Sequence, residues 1–373
     1  MVSFYKFDEE KDGPKYLLTI IIPLYDRHKL TDRVLRTLDE QGCNCKIVLA
    51  DGSYTPFKEH IREKYTEHSK YFAENRTPRF DKIYKNLRID YFYSGYDKNI
   101  YSFLKKMHEA SERVWTPFCV ICDNDDLVNL KGLEKGCRFL ATNTDYSTYR
   151  NDIRTLQVSP EIKMKESLYK FDSIEQESAK DRAMYAIDHF NSFNFSIFRS
   201  GVLKAYLTLM SSLNTEGDFQ FFQKGLSYFA AVAGKCKRLH NESYYYFIPG
   251  NSVIQGTGKI VKFKEWIFSP LWRISVMYTI ATTCSLYKNK YGQDDITEDF
   301  SRKLIKECCD SANVNLLPEA KIKQIIIGAK SYYDEIDSRI SKFYEEIMFP
   351  VRYEVLPAEK RLTHKEFLKS LNI

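Results

Sequence analysis

Carboxylates follow two apolar segments of this chain, at the point where each segment ends. Asp51 closes the run 46–50 (KIVLA), and the acidic turn 123–126 (DNDD) closes the run 118–122 (FCVIC). A continuous apolar run of this length that ends in a turn is typical of a strand buried on both faces. Because ligands of open α/β sheets bind beyond the carboxyl ends of the strands, we expect both acidic turns to serve one pocket.

Three of the four residues in the second turn are aspartates: Asp123, Asp125 and Asp126. Their mutual repulsion costs stability unless a cation neutralises them. A hard divalent ion held by one or two carboxylates together with substrate phosphates is the usual arrangement for Mg²⁺. The alternative is an acidic surface turn, which is a common feature of proteins. The position directly after a buried strand favours the metal-binding interpretation.

The elements that must position these residues alternate between strands and helices in the N-terminal third. Apolar runs predict strands over 17–23, 46–50, 87–93 and 118–122, and helical patterns occupy 28–41, 54–70 and 99–114. This rhythm predicts a parallel sheet with covering helices.

The rest of the chain is less regular up to about residue 200 and then mainly helical. The patterns predict strands over 194–198 and 239–248, and helices over 219–233, 263–287, 298–309 and 320–347. The flexible junction 256–258 (GTG) divides the chain into a catalytic region, 1–258, and a helical C-terminal region, 259–373.

Glycine-rich phosphate cradles are missing from the expected positions. The turn after the first strand, 24–27, reads LYDR and contains no GxGxxG pattern, and Gly258-Lys259 lacks the Walker spacing. Neutralisation of a phosphate would therefore depend on a metal ion and on basic side chains.

Several segments resemble those of glycosyltransferase family 2, in the same order and spacing. They are the opening strand 19–26 (TIIIPLYD), the strand and turn 47–53 (IVLADGS), the DxD-like turn 122–126 (CDNDD), the segment 194–200 (NFSIFRS), the ED-like 216–219 (EGDF) and the strand 234–239 (GKCKRL). The resemblance covers about residues 17–255. It implies a GT-A fold, that is, an α/β, Rossmann-like, mostly parallel sheet flanked by helices, here with a C-terminal helical extension.

The resemblance also implies a nucleotide-diphosphate sugar, with a UDP-sugar as the expected donor, and assigns residues to it. By this match Pro23 and Tyr25 line the nucleobase slot, Asp51 pairs with the base and Asp123 contacts the ribose. Asp125 holds Mn²⁺ or Mg²⁺ against the diphosphate, with Asp126 as a second candidate ligand, and Lys106 approaches the diphosphate. Asp26 stands where many relatives have Asn, and the third metal ligand is left open.

The implied reaction is an inverting transfer onto an acceptor hydroxyl. Asp218 is the expected general base, with Glu216 as the second candidate. A carboxylate at the start of a helix is stabilised in its ionised form, which a base requires; the alternative is that Asp218 only caps the helix. The expected acceptor is a glycan, a lipid-linked molecule or another hydroxyl compound, in polysaccharide or glycoconjugate biosynthesis.

Two other functions stay open at this point. A sugar-nucleotide pyrophosphorylase would need a GxGTR-like loop after the first strand, which this sequence lacks. A non-catalytic nucleotide-sugar or glycan-binding relative is disfavoured by the retained carboxylates Asp123, Asp125 and Asp218.

Composition limits the class and the surroundings of the protein. The chain has 373 residues, and its 25 Phe and 27 Tyr exclude a disordered polymer. The net charge of +6 is mild and has no strongly basic block, so no nucleic acid partner is expected. Nine scattered cysteines and no apolar leader indicate a cytoplasmic protein with reduced thiols. The aromatic segment 266–277 is a candidate for peripheral membrane contact, at the inner face of the membrane, and 320–347 for homodimerisation, although a core role is the simpler expectation for the former.

Overall fold

The acidic turns follow strands of one sheet. The computed structural model of the protein describes residues 17–65, 80–157, 165–169, 172–189, 195–212, 219–248 and 269–350. The strands are β1 Leu18–Leu24, β2 Lys46–Asp51, β3 Arg88–Tyr93, β4 Phe118–Ile121, β5 Leu127–Val128, β6 Tyr146–Gln157, β7 Lys165–Tyr169, β8 Ile197–Arg199 and β9 Lys235–Ile248.

The helices fall into two groups along the chain. Those interleaved with the strands are α1 His28–Glu40, α2 Phe57–Lys64, α3 Ile100–Glu112, α4 Leu130–Thr142, α5 Ala179–Asp188, α6 Ser200–Met210 and α7 Phe219–Ala233. Those after the last strand are α8 Pro270–Tyr291, α9 Thr297–Ser311, α10 Glu319–Lys330, α11 Tyr333–Ile340 and α12 Tyr344–Met348.

The described strands form one nine-stranded sheet in the order β3-β2-β1-β4-β8-β6-β9-β5, with β7 paired to β6. The neighbours β3, β2, β1 and β4 are parallel. β8 is antiparallel to both β4 and β6, so β6 and its parallel partner β9 run in the same direction as β1. The predicted fold class, an α/β fold with a mostly parallel sheet flanked by helices and a helical C-terminal part, is confirmed.

The sheet buries both faces, as the continuous apolar runs predicted. Ile21 of β1 faces one core and Ile20 and Ile22 face the other. Cys119 and Cys122 likewise lie in different cores, as expected for strand residues three positions apart. The first core is covered by α3 and α5 to α12, and the second by α1, α2 and α4.

Two predicted segments differ from the structure. The region 140–200, predicted to be irregular, contains the 12-residue strand β6, whose inward residues are largely polar. The segment 320–347, predicted as one long helix, is divided into α10, α11, a 3₁₀ turn and α12. The helix is interrupted at Ser331 and Tyr332. Three residues earlier, Gly328 lies so close to α8 that an added Cβ would be 2.5 Å from the sulfur of Met277. The helices on both sides of the break, α10 and α11, contact α8.

The C-terminal helices share a core with the sheet. Val276 of α8, Leu304 of α9 and Ile336 of α11 belong to the same hydrophobic cluster as Ile21 of β1. The predicted junction 256–258 lies outside the described residues. All nine cysteines are buried and unbridged. Within the described part of the chain, every helix is too short or too polar to cross a membrane.

Candidate active site

The turns that follow β1, β2, β3 and β4 leave the same edge of the sheet, because these strands are adjacent and parallel. Asp51, the last residue of β2, lies opposite Leu24 of β1, and Ile121, the last residue of β4, lies opposite Ile21. Asp51 and the acidic turn after β4 therefore share one edge of the sheet.

Asn124 connects the acidic turn to the turn after β1. Its side-chain amide donates to the backbone oxygen of Asp26 at 3.0 Å and lies 3.2 Å from the hydroxyl of Thr31. Asn124 is buried, and the backbone N–H of Asp126 donates to the carbonyl of Asp123 at 3.1 Å. These bonds fix the acidic turn without any ligand.

Asp26 connects the turn after β1 to the turn after β2. Its backbone N–H donates to the hydroxyl of Ser53 at 2.8 Å, and its carboxylate accepts from the backbone N–H of Tyr54 at 3.0 Å. Asp26 and Arg27 have φ angles of 52° and 55°, in the left-handed region that few non-glycine residues adopt. This tight turn places Arg27 next to the acidic turn.

Two guanidinium groups meet Asp125. Arg27 makes an ion pair with its carboxylate, and Arg33 of α1 donates to its backbone oxygen at 2.8 Å. The side chains of Arg27 and Asp125 are only 20% and 15% exposed, so the pair is partly shielded from water. The edge of the sheet thus holds cations beside the carboxylates.

Burial raises the pKa values of two carboxyl groups in the acidic turn, Asp123 and Asp125. Burial raises the pKa of Asp123 to about 7, with a further rise from Asp125, against the opposing effects of Arg27 and Lys106. Burial also raises the pKa of Asp125, although Arg27 and Arg33 lower it. Such carboxylates gain from a divalent cation, which would favour their ionised forms. Their oxygen chemistry therefore fits Mg²⁺ or Mn²⁺.

Asp126, the second candidate metal ligand, has no exposed surface. Burial lowers the pKa of the partly buried Arg33, and the charges of Asp125 and Asp126 oppose this shift. Asp123 and Asp125 are partly exposed, so these two carboxylates are the ones placed to meet a ligand.

Asp51 is fully buried, and its carboxylate is engaged within the protein. One oxygen accepts from the backbone N–H of Ser53 at 3.0 Å; the other accepts from the N–H of Phe57 and the hydroxyl of Tyr91, both at 2.7 Å. These bonds fix the turn after β2 and the start of α2. The structure thus gives Asp51 a clear positioning role.

Lys106 is also buried and paired. Its ammonium makes an ion pair with Asp97, in the turn after β3, and donates to the carbonyl of Leu24 at 3.0 Å. Burial lowers the pKa of Lys106, although Asp97 raises it, and burial raises the pKa of Asp97, although Lys106 lowers it. A Cβ on Gly52 would lie 2.3 Å from the Asp97 carboxyl carbon, so only glycine allows this close approach.

Aromatic rings lie beside these turns. Tyr25 stacks on Tyr96 with ring centroids 5.9 Å apart and hydroxyl oxygens 3.0 Å apart. Tyr54 meets Tyr96 edge to face at 5.6 Å and is 76% exposed. Pro23 is buried within β1. The rings give this edge an exposed aromatic surface next to the carboxylates.

The predicted base candidates Glu216 and Asp218 lie outside the described residues. α7 begins at Phe219, directly after Asp218 in the sequence. Among the described residues, no three His, Cys, Asp or Glu side chains converge as a metal cluster.

Comparison with protein-family models gives no match to this chain, and comparison with curated proteins gives none. Solved structures of S. aureus TarS are similar in fold. The structure of TarS 1-349 in complex with UDP-GlcNAc has 13% identity and a TM-score of 0.46, with 91% of this chain and 94% of that chain covered. The complex with UDP has 14% identity, a TM-score of 0.42 and the same coverage.

The chain spans about half of the longer TarS structure: 89% of this chain covers 54% of that one, at 13% identity and a TM-score of 0.40. Identities and TM-scores this low do not transfer a substrate or a residue's role.

Several residues at this edge have no counterpart among the sequence predictions: Arg27, Arg33, Tyr54, Tyr96 and Asp97. A signal for Asp97 and Tyr96 does exist, because they follow the predicted third strand, whose carboxyl end shares the edge with the other two. Arg33 stands one turn into the first predicted helix and carries no such signal.

Proposed function

We propose that this protein is a glycosyltransferase that moves a sugar from a nucleotide-diphosphate sugar to an acceptor hydroxyl. The observation that carries the proposal is the site around Asp125 at the carboxyl edge of the sheet: its carboxylate pairs with Arg27, its backbone oxygen accepts from Arg33, and Asp123 lies two residues before it in the same turn. The family resemblance of the sequence supports the same reaction. Opposite charges in one partly buried site suit a ligand that carries both phosphates and a divalent ion.

The diphosphate would lie between the acidic turn and the turn after β1. In this arrangement Asp123 and Asp125 would hold Mg²⁺ or Mn²⁺, which stabilises the charge that develops on the leaving nucleoside diphosphate. Arg27 would leave Asp125 and donate to phosphate oxygens, a geometry to which guanidinium groups are well suited. Buried Lys106 would act as a positioning residue through Asp97 and Leu24.

The nucleobase would pack against the aromatic surface formed by Tyr25, Tyr54 and Tyr96. Base–aromatic stacking contributes about 1–3 kcal/mol per base. Asp51 would support the base indirectly, because its carboxylate fixes the turn that carries Tyr54. A direct contact between Asp51 and the base would require these internal hydrogen bonds to open.

The acceptor would approach from the side of α7. In the proposed inverting reaction Asp218 accepts the proton of the acceptor hydroxyl while that oxygen attacks the anomeric carbon and the bond to the diphosphate breaks. Asp218 directly precedes the first residue of α7 in the sequence, and the dipole of this helix would favour a carboxylate there. Glu216 is the second candidate for this role.

Calorimetric titration tests the donor site directly. UDP and UDP-GlcNAc, which TarS binds, are suitable first ligands, and the wild-type protein should bind UDP more tightly with Mn²⁺ than without it. Asp123→Asn and Asp125→Asn should each abolish this Mn²⁺ dependence, whereas Asp334→Asn on the exposed side of α11 should retain it. Equal binding with and without Mn²⁺ in the wild-type protein would refute the metal-dependent site.

Hydrolysis of the donor separates an enzyme from a binding protein. A panel of nucleotide sugars should contain at least one that the wild-type protein slowly hydrolyses. Asp218→Asn should lose this hydrolysis and keep the affinity for that donor, because a base acts on the acceptor and contributes little to donor binding. Donor binding without turnover for the whole panel would instead identify a nucleotide-sugar-binding protein.

A further inference from the structure

Two tyrosines from different turns meet across the end of β2. In the sheet β2 lies between β1 and β3, and Leu24, Asp51 and Tyr93 stand side by side at the carboxyl ends of these three strands. Adjacent strands are about 4.8 Å apart, so the two outer strands are separated by about 10 Å. Tyr25, directly after β1, and Tyr96, in the turn after β3, cross this distance, and their hydroxyl oxygens are 3.0 Å apart.

Tyr25 is fixed by the residues on both sides of it. The carbonyl of Leu24 accepts from the backbone N–H of Gly52 at 3.0 Å, and the backbone N–H of Asp26 donates to the hydroxyl of Ser53 at 2.8 Å. Both partners belong to the turn after β2. Because the chain is held to this turn before and after Tyr25, we expect Tyr25 to keep its position when a ligand binds.

Tyr96 lies in a short segment between two backbone anchors. The N–H groups of Ser94 and Asp97 donate to the carbonyls of the last residue of β2 and of the residue after it, both at 2.9 Å. Only Gly95 and Tyr96 lie between these anchors. Gly95 has a φ of 88°, in the left-handed region that favours glycine, and among the described residues no atom lies within 4 Å of the position of an added Cβ. Rotation about the backbone of Gly95 can therefore move Tyr96 while both anchors stay in place.

The two rings stand too close together to hold a nucleobase between them. Tyr25 and Tyr96 are nearly parallel, at 19°, and their centroids are 5.9 Å apart. A base between two rings makes one van der Waals contact of about 3.5 Å on each side, which requires about 7 Å in total. Tyr54 packs edge to face against Tyr96 at 5.6 Å and adds a third ring to the group.

The bridge between the hydroxyl groups persists at physiological pH and is weak enough to open. The hydrogen bond to Tyr96 raises the pKa of Tyr25 to about 12, and burial raises it further, so this hydroxyl stays protonated near neutral pH. The hydrogen bond is exposed to water, which competes for both partners. Its net contribution to the free energy is therefore small, and a ligand can displace it.

We propose that Tyr25 and Tyr96 form a gate across the carboxyl end of β2, and that a nucleobase enters after Tyr96 has turned outward on Gly95. The inference rests on the proposed function, because it takes the base to bind at this edge of the sheet. The bound base then lies between the two rings. The gate is closed in the free protein, so donor association depends on the fraction of molecules in which it is open.

Association kinetics test the gate. Binding of UDP labelled with a fluorescent N-methylanthraniloyl group, in the presence of Mg²⁺, is followed by stopped flow with the full chain. Tyr25→Phe keeps the ring and removes the hydroxyl bridge, so the association rate constant should rise about 2- to 5-fold while the dissociation rate constant changes little. Tyr93→Phe, at an exposed position three residues before Tyr96, is the matched control and should associate like the wild-type protein. An unchanged association rate constant in Tyr25→Phe would overturn the gate.

Ring contacts measured by NMR separate the gate from the proposed function. In protein with isotope-labelled tyrosine rings, a nuclear Overhauser effect between Tyr25 and Tyr96 should be present without ligand and disappear at saturating UDP with Mg²⁺. The signals are assigned by their loss in Tyr25→Phe and Tyr96→Phe. A contact that is missing from the free protein, or that persists at saturation, would overturn the gate and leave nucleotide binding in place. A protein that binds no nucleoside diphosphate would instead refute the proposed function, and the gate with it.

Discussion

The guanidinium of Arg27 forms an ion pair with the carboxylate of Asp125. The proposed metal ion would need the same carboxylate as a ligand. The two side chains are only partly exposed, so their attraction is less screened than that of a surface pair. A cation without nucleotide must therefore compete with Arg27. A nucleoside diphosphate would remove this competition, because its phosphates offer the guanidinium another partner.

Arg27→Gln should change metal and nucleotide binding in opposite directions. Affinity for Mn²⁺ alone should rise about 3- to 10-fold, since partly buried ion pairs contribute on the order of 1 kcal/mol, while affinity for UDP with Mn²⁺ should fall. Calorimetric titration measures both. Arg36→Gln, which removes a guanidinium from the exposed side of α1, should change neither. A variant that binds Mn²⁺ no better than the wild-type protein would show that Arg27 does not compete.

Asp51 shows what the sequence can and cannot predict about a single residue. The apolar run before it correctly predicts a strand end at the ligand-binding edge. Its burial depends on Phe57 and Tyr91, which are six and forty positions away in the chain. Tertiary hydrogen bonds of this kind leave no local pattern, and the same applies to the pairing of Lys106 with Asp97.

At the scale of the elements, the Lys106–Asp97 pair fixes α3 and the turn after β3 to the end of β1. Lys106 is 1% exposed, and one oxygen of Asp97 is buried without a hydrogen-bond partner. Removing the ammonium would leave a buried carboxylate with no counter-charge. The position of the whole turn therefore depends on this pair.

Lys106→Met should lower the free energy of unfolding by about 3–5 kcal/mol, the usual cost of leaving a buried charge uncompensated. Urea denaturation followed by circular dichroism measures it. Lys105→Met, one residue away on the exposed face of α3, should cost less than about 0.5 kcal/mol. The double variant Lys106→Met/Asp97→Asn should be more stable than the sum of the single changes predicts. Equal costs for Lys106→Met and Lys105→Met would contradict this account.

Asp32 of α1 connects three elements through one buried carboxylate. It accepts from the hydroxyl groups of Tyr65 at 2.8 Å and Tyr84 at 2.6 Å, and it pairs with Arg36 and Lys64. Burial alone would raise its pKa, but these four donors outweigh burial and hold the pKa at about 2, against an ordinary value of 3.8. A carboxyl group whose pKa is lower in the folded than in the unfolded protein stabilises the folded state at pH values above its unfolded pKa. For Asp32 this stability is lost as the pH falls through the folded pKa of about 2.

Asp32→Asn should therefore lower the free energy of unfolding by about 2 kcal/mol at pH 7. The difference from the wild-type protein should shrink as the pH falls from about 4 to about 2, and urea titrations across this range measure it. Glu40→Gln, at the exposed end of the same helix, is the matched control and should show no such trend. A stability difference that is constant with pH would mean that Asp32 acts through its shape and not through its charge.

The sequence predicts best the elements whose apolar residues form either a continuous run, as in a buried strand, or a helical repeat. β1, β2 and α1 have continuous or helical apolar patterns, and their bounds agree with the prediction to within about one residue. β6 has no such pattern, because Arg150 and Asp152 lie buried on it and Asp152 pairs with Arg238 of β9. A strand that buries its charges against a distant partner cannot be recognised from its own residues.

At the scale of the whole molecule, the C-terminal helices complete the core of the sheet. The apolar cluster that contains Ile21 of β1 and Val48 of β2 continues through Phe229 of α7 to Val276 of α8 and Leu304 of α9. The sequence pattern divides the chain near residue 258 because strands give way to helices there. A change of secondary structure does not show whether two regions share a core, since that depends on which apolar faces meet.

A shared core requires the sheet and the C-terminal helices to unfold together. Hydrogen exchange in increasing urea, followed by mass spectrometry, should give one midpoint for peptides from β1 and from α9. Leu304→Ala, at a fully buried position of α9, should lower both midpoints equally, because it removes about 2–5 kcal/mol from the common core. Ile327→Ala, 69% exposed on α10, should leave both midpoints in place. If Leu304→Ala released α9 while β1 stayed protected, the helices would form a separate unit, and the continuity of the core would not imply cooperativity.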